Sequence, residues 1–381
     1  MILQTVASLS AGEGGVPRSV VGLATALGSL GRAVAILAVE ASSGGPSPLA
    51  GRLCGCVRVI EGGGRRSRFR GLSNYLQRIH DASPLTLVHD HGIWLPMHDD
   101  IAAWSERNGI PRVVSVRGML NPWALGRHRR RKQAAWLCYQ RRGLTTADAI
   151  HATSEEEFEA VRRAGLRQPV VVLGNGVVVD ERPRRMAPAG DGERTALFLS
   201  RLHPSKGLDL LLHAWRRASP SRWRLMIAGE GNDNYVRWLQ REIASLGLTA
   251  HVTLCGAADD RLKEKLYGDC ELVILPTRSE NFGLVVAEAL AAGVPVITTQ
   301  AAPWSWLPER RAGWWIPVNV DCLANAIQEA TAMGSQELAE MGQRGRREVS
   351  RLFEWSTAAR QYAAAYDWLQ GIVSAPACVR L

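Results

Sequence analysis

Lysine is scarce in this chain of 381 residues: only Lys132, Lys206, Lys263 and Lys265 are lysines among 46 basic residues. An Arg-dominated basic set is what a GC-rich genome produces, so where the charges fall carries more information than their type. Long apolar runs are absent, which excludes a spanning helix of the usual ~18 or more residues. The apolar stretch 1–9 is short and has no basic leader, so it reads as a first strand and not as a signal peptide. Cysteine is limited to 7 scattered residues with no C-x-x-C pair, and Cys54 and Cys56 are too close for an ordinary zinc clamp. This excludes a disulfide framework and fits free thiols in a reducing cytosol. There is no Asp-x-Asp and no histidine cluster, so no metal site is expected. Short-period repeats and low-complexity segments are also missing.

What remains is an ordinary globular composition, 46% hydrophobic and 22% charged, long enough for two domains with separate cores. The net charge of +10 is uneven, with 22 Lys/Arg against 14 Asp/Glu in residues 1–180 and 24 against 22 in 181–381. Strand-like runs at 2–8, 33–39, 85–89, 112–116, 149–152 and 170–173 alternate with helical patterns at 17–30, 70–80, 101–108, 129–142 and 155–164. A stretch rich in Pro, Gly and charge at 180–192 reads as a linker. The alternation then restarts at 195 and runs through 299. The expected class is therefore α/β, with two doubly wound Rossmann-like domains at 1–180 and 181–355 facing across a cleft. A last helix falls in 356–381.

Residues 271–299 form a strand–loop–helix–strand unit, whose loop opens onto a helix N-terminus after Phe282 and Gly283. Amides there suit phosphate or sugar oxygens. Glu280 precedes this turn and Glu288 follows it. Each carboxylate has two acceptor oxygens and can take hydroxyls, and Glu288 can take a vicinal diol. Either one alone also reads as a helix-start or solvated carboxylate. Arg201 and Lys206 lie on one loop after the run 195–200, where two cations suit a diphosphate; a solvated loop is the plain alternative. Gly14 and Gly15, after the first run, let backbone approach phosphate closely. That segment is also a poor dinucleotide fingerprint, with Glu40 placed for a ribose, so a nicotinamide-dependent oxidoreductase competes there. It leaves the Arg201/Lys206 and Glu280/Glu288 loops unexplained.

Taken together, the E-x7-E spacing of Glu280 and Glu288 and the R-x4-K-G pattern of Arg201, Lys206 and Gly207 resemble glycosyltransferase family 4. These are retaining nucleotide-sugar glycosyltransferases with the two-domain GT-B fold. The resemblance is strongest at 197–299. It implies that Arg201 and Lys206 neutralise the donor pyrophosphate in a reaction without metal or cofactor. It also implies that Glu280 holds the donor sugar with Asn281, Phe282, Gly283 and Leu284, and that Glu288 holds the ribose. Gly256 and Ala257 lie near the base, and Gly14 and Gly15 near the phosphates. The segment 117–124 looks like that of transferases of bacterial surface polysaccharides, lipopolysaccharide O-chain or exopolysaccharide. The donor favoured on this resemblance is GDP-mannose or a GDP-deoxyhexose such as rhamnose, and the acceptor a lipid-linked glycan. A UDP-sugar transferase, a same-fold nucleotide-sugar 2-epimerase and a soluble sucrose- or glycogen-type synthase are the alternatives. By resemblance the final helix crosses back onto the first domain.

Three features of the first half stand outside that core. His89, Asp90 and His91 read as strand-end residues on the acceptor or sugar side, matching the family's H-x-H-G. Arg117 stands where many members carry a His, which suggests a guanidinium meeting a substrate carboxylate or phosphate. The stretch 127–142 holds seven Lys/Arg and no acid, with Arg129, Arg130, Arg131 and Lys132 ahead of Trp136 and Tyr139. Read as a helix with Trp136 and Tyr139 on one face, it suits an anionic membrane surface, giving an enzyme peripheral to the inner face of the cytoplasmic membrane. No nucleic-acid-binding module accompanies it.

Overall fold

The computed structural model describes residues 1–10, 14–39, 57–61, 71–180 and 192–381. Glu40, Cys54, Cys56 and most of the expected linker lie outside these residues. The chain divides into two units, Met1–Gly176 with Trp355–Leu381, and Val177–Glu354. The boundary precedes the expected one at 180, and the second unit interrupts the first.

The first unit carries a sheet of eight strands among the described residues. They are β1 Ile2–Val6, β2 Val34–Ala38, β3 Val57–Glu61, β4 Leu87–His91, β5 Arg112–Ser115, β6 Ala149–Ala152, β7 Val170–Val172 and, from the C-terminal segment, a strand at Val379–Arg380. That last strand pairs antiparallel with β7, and every other pair is parallel. Strands buried on both faces of a parallel sheet read as continuous apolar runs, and β2, Val-Ala-Ile-Leu-Ala, is buried throughout. The order runs β7-β6-β5-β4-β1-β2-β3. The direction of winding therefore reverses between β1 and β4, and the crevice at such a reversal is where these sheets hold ligands. Helix Gly15–Ser29 covers β1 and β2, and helix Trp355–Leu369 packs against it.

The second unit repeats the plan with six parallel strands: β8 Arg194–Leu199, β9 Trp223–Ala228, β10 Val252–Gly256, β11 Leu272–Leu275, β12 Val296–Thr299 and β13 Gly313–Ile316. The C-terminal strand at 379–380 is accordingly β14. The order is β10-β9-β8-β11-β12-β13, so winding reverses between β8 and β11. One core runs through this unit, anchored by Trp215, Trp223, Phe198 and Trp304, all nearly inaccessible.

Candidate active site

The loops leaving β8 and β11 meet at the second sheet's reversal point. After β8 the chain passes Arg201 and makes a short 3-10 turn, Pro204–Lys206, capped by the His203 side chain. Gly207 then turns with φ +70° into helix Leu208–Ala218. A Cβ on Gly207 would lie 2.0 Å from the Pro276 carbonyl oxygen, so the two loops touch at backbone distance. Arg278 binds them together. Its amide donates to the Ser205 carbonyl (2.7 Å). Its guanidinium donates to the Pro204 carbonyl (3.0 Å) and forks onto Asp209 (2.6 and 2.5 Å). The result is a half-buried ion pair between Lys206 Nζ and Glu280 Oε2 at 2.5 Å. Arg201 is exposed and has no ion-pair partner among the described residues.

Helix Leu284–Ala291 begins just beyond, and the amides of Gly283, Leu284 and Val285 at its start have no partner among the described residues. Glu280 precedes the helix and Glu288 lies within it. Glu288 accepts from Lys263 Nζ (2.7 Å) and Tyr267 Oη (3.0 Å). Gly256 and Ala257 are exposed where β10 ends. Beneath the turn, Trp304 Nε1 donates to the Phe282 carbonyl (2.6 Å), and Trp315 Nε1 donates to the Ala302 carbonyl (2.8 Å). The neighbouring Ala301 carbonyl takes the Glu280 amide (3.0 Å). Two indoles thus fix the backbone that aims Glu280 and the helix-start amides. Sequence reading missed Arg278, Asp209, Lys263, Tyr267, Trp304 and Trp315. The one signal for them was Arg278, which lies inside the Glu280 segment.

In the first unit, Gly14 is the N-cap (φ +86°) of the helix that begins at Gly15. The strand expected at 85–89 is observed at Leu87–His91, and it places His89 and Asp90 inside the sheet with 0% exposure. This corrects their reading as substrate-facing residues. Asp90 accepts from Thr5 Oγ1 (2.7 Å) and His98 Nδ1 (2.8 Å), with Arg112 at 3.6 Å. His89 belongs to a buried chain of polar groups. His151 Nε2 lies 2.9 Å from the Leu173 carbonyl and 2.8 Å from Tyr362 Oη. Its Nδ1 is hydrogen-bonded to Ser115 Oγ (2.6 Å), which is hydrogen-bonded in turn to His89 Nε2 (2.7 Å). His89 Nδ1 is hydrogen-bonded to Tyr366 Oη (2.6 Å), on the helix Trp355–Leu369. His91, also buried, accepts at Nδ1 from Arg117 Nη2 (2.8 Å) and donates from Nε2 to Gln4 (3.2 Å).

Burial keeps all three imidazoles neutral. Burial, reinforced by neighbouring cationic groups, holds His89 and His91 well below the ordinary 6.5 and lowers His151 to about 3. Each group binds a proton more weakly folded than unfolded. Its stabilisation is complete above pH 6.5 and is lost as pH falls from there towards the folded value, at about 1.4 kcal/mol per pH unit per histidine. Glu157, raised by burial, acts in the opposite sense above its ordinary 4.5, one group against three. Thermal melts should therefore show a lower midpoint at about pH 5 than at about pH 7. Equal midpoints would show that these histidines protonate at no cost to the fold.

The basic stretch also departs from expectation. It is not one α-helix but Arg129–Ala135, a π-helical turn Trp136–Gln140, then Arg141–Thr145. The wider turn rotates Trp136 and Tyr139 inward. Trp136 lies 6.1 Å from the Trp94 ring, and Tyr139 Oη donates to the Trp94 carbonyl (2.8 Å). Lys132 donates to the Ala124 carbonyl and lies over the Trp94 ring. Trp136 and Lys132 are half-buried. Arg129, Arg130 and Arg131 are exposed, and the exposed apolar residues here are Leu137 (82%) and Trp123 (41%). No helix among the described residues is long and apolar enough to cross a membrane.

Comparison with known proteins agrees with this geometry. Residues 14–176 match the family model "Glycosyl transferase 4-like domain" and residues 180–348 match "Glycosyl transferases group 1". The chain is 29% identical over 313 residues to the GDP-mannose:cellobiosyl-diphosphopolyprenol alpha-mannosyltransferase of Xanthomonas campestris, covering 80% of this chain and 77% of that one. Among solved structures it is similar to the sucrose-phosphate synthase of Thermosynechococcus elongatus (TM-score 0.80, 21% identity, 98% and 99% of the two chains). It is also similar to Anabaena HepE in complex with UDP and glucose (TM-score 0.71, 21% identity, 95% and 98%). With both halves matched to paired family models and both sheets wound about a reversal point, the chain belongs to the GT-B glycosyltransferases of family 4 and is a glycosyltransferase.

Proposed function

We propose that this glycosyltransferase moves mannose, or a GDP-linked deoxyhexose such as rhamnose, from its nucleotide diphosphate to a lipid-linked glycan. Anomeric configuration is retained, and the process is the assembly of a surface polysaccharide, either lipopolysaccharide O-chain or exopolysaccharide. One observation carries the chemistry: Lys206 and Glu280 are brought to 2.5 Å at the reversal point, beside the exposed Arg201 and the unpaired helix-start amides. A leaving diphosphate gains charge as the glycosidic bond breaks, and Lys206, Arg201 and those amides are the groups that meet it. They take the place of a divalent ion. Glu280 holds sugar hydroxyls beside a transition state of oxocarbenium character. Glu288, already bridged to Lys263 and Tyr267, takes the ribose diol. Among the described residues no side chain is an evident nucleophile, and same-face attack helped by the departing phosphate accounts for retention. The 29% identity to an enzyme named for GDP-mannose and a diphosphopolyprenol acceptor supports this choice of donor and acceptor.

The test is a panel of GDP-, UDP- and dTDP-sugars scored for release of nucleoside diphosphate. GDP-mannose or a GDP-deoxyhexose should be consumed fastest, and Glu288→Ala should weaken that donor about tenfold to a hundredfold. A preference for a UDP-sugar overturns the donor assignment, and unchanged affinity in the folded variant removes Glu288 from the ribose.

Docking on the inner face of the cytoplasmic membrane brings the enzyme to a lipid-linked acceptor. Arg129, Arg130 and Arg131 with Leu137 and Trp123 form the surface suited to it. Changing the three arginines to Gln removes about 3 kcal/mol of attraction to an anionic surface. Wild type should sediment with anionic vesicles and release at about 0.5 M salt, and the variant should stay in solution while binding donor. Equal sedimentation of the two proteins rejects this surface.

A further inference from the structure

Arg117 is a partly buried cation with no ion-pair partner among the described residues. It follows β5, between His91 at the end of β4 and Asn175 beyond β7, so it lies at the carboxyl edge where such sheets hold ligands. A guanidinium has five N–H donors. Here Nη1 donates to Asn175 Oδ1 (2.7 Å) and Nη2 to His91 Nδ1 (2.8 Å), while the buried Nε has no partner. Both acceptors are neutral: an amide oxygen, and an imidazole whose other nitrogen carries the proton. No carboxylate is within ion-pair distance among the described residues. Glu157 acts on Arg117 only at a distance, and its oxygens are occupied by the amides of Gly118 and Thr153 and the Thr153 hydroxyl. Arg117 also holds a left-handed backbone, φ +51°.

A partly buried cation with neutral partners carries a desolvation penalty that no counter-charge offsets. Side-chain hydrogen bonding to Asn175 and His91 does not require a charge, since a neutral amide satisfies the same acceptors. What a guanidinium adds is a planar fork matched to an oxyanion. We propose that Arg117 is a phosphate-binding residue, its free N–H edge receiving oxygens of a substrate diphosphate at the carboxyl edge of the first sheet. The choice of phosphate over carboxylate rests on the transferase reading, in which donor and acceptor each carry a diphosphate and neither needs a carboxylate. A shared chemistry therefore has two sources, the nucleotide and the lipid.

The test uses the full-length protein, Arg117→Met and Arg117→Lys, with thermal unfolding followed against titrated GDP, farnesyl diphosphate and inorganic pyrophosphate. Unliganded Arg117→Met should melt at or above the wild-type temperature, because an uncompensated charge has been removed. Its affinity for one diphosphate should fall about tenfold to a hundredfold, and its response to pyrophosphate should fall with it. Arg117→Lys, which keeps the charge and loses the fork, should fall between. Loss on the farnesyl diphosphate arm assigns the acceptor, and loss on the GDP arm the donor. Undiminished binding of all three ligands, with both variants melting lower than wild type, overturns the proposal and makes Arg117 a strut between Asn175 and His91. If wild type responds to no nucleoside diphosphate, the donor reading fails by itself, and the pyrophosphate arm still tests Arg117.

Discussion

Replacing Lys206 by alanine should lower kcat by about 10²–10³-fold and weaken donor binding by less than about tenfold. The asymmetry follows from when the charge appears. A bound nucleotide sugar already carries its diphosphate charge, but the bridging oxygen becomes anionic only as the sugar departs. An ammonium aimed at that oxygen therefore favours the transition state over the ground state. The ion pair with Glu280 sharpens the prediction. Without Lys206 the carboxylate loses its 2.5 Å partner, so sugar-side positioning suffers as well. Turnover of the wild type should persist with excess EDTA. A variant that binds donor tenfold or more weakly at unchanged kcat places Lys206 in ground-state binding only. EDTA inhibition reversed by magnesium rejects the metal-free reading.

Gly207→Ala should destabilise the second unit by about 2–5 kcal/mol, combining a left-handed backbone penalty of about 1–2 with an overpacking cost of about 1–3. The added Cβ would meet the Pro276 carbonyl oxygen at 2.0 Å. That is a collision between backbones, and no side-chain rotation relieves it. A unit of this size loses about 2–4 °C of melting temperature per kcal/mol. Gly247 provides the comparison. It also has positive φ (+68°), but nothing lies within 4 Å of its Cβ position. Gly247→Ala should therefore cost only the backbone penalty, about 1–2 kcal/mol. If the two variants melt together, the loops from β8 and β11 are not in the close contact described here.

The second unit was legible because its signals are local. Strand, loop, helix and strand follow one another within 271–299, and a parallel sheet turns that order into a single crevice. Lys206 and Glu280 could each be placed at a strand end without knowing that they touch. Lys206 and Glu280 are 74 positions apart in sequence, and their pairing depends on β8 and β11 being neighbours, which no local pattern states. The histidines show the limit more sharply. His-Asp-His reads as a polar strand end until Tyr366, 277 positions away, is found against His89 and the polar groups prove to be interior. Shifting the strand by two residues, from 85–89 to Leu87–His91, was enough to bury them. The π turn at Trp136–Gln140 was equally invisible. One extra residue per turn leaves composition unchanged but swings Trp136 and Tyr139 from the surface towards Trp94. The indole of Trp304 serves the site through the carbonyl of Phe282, a contact across the crossover that periodicity does not encode.

The interruption of the first unit by the second has a consequence for synthesis. Tyr366, which completes the chain of buried polar groups at His89, and β14, which covers the edge strand β7, both belong to Trp355–Leu381. A ribosome adding about 5–20 residues per second finishes strands β1 to β7 on the order of ten to thirty seconds or more before that segment emerges. By the end of that interval the Val177–Glu354 unit has its whole sequence and can close its own core, while the older, N-terminal sheet still has an open edge. The part of the chain made first is thus the last to be sealed. An arrest of translation after residue 354 leaves a folded second unit attached to an N-terminal half exposed to proteases and chaperones.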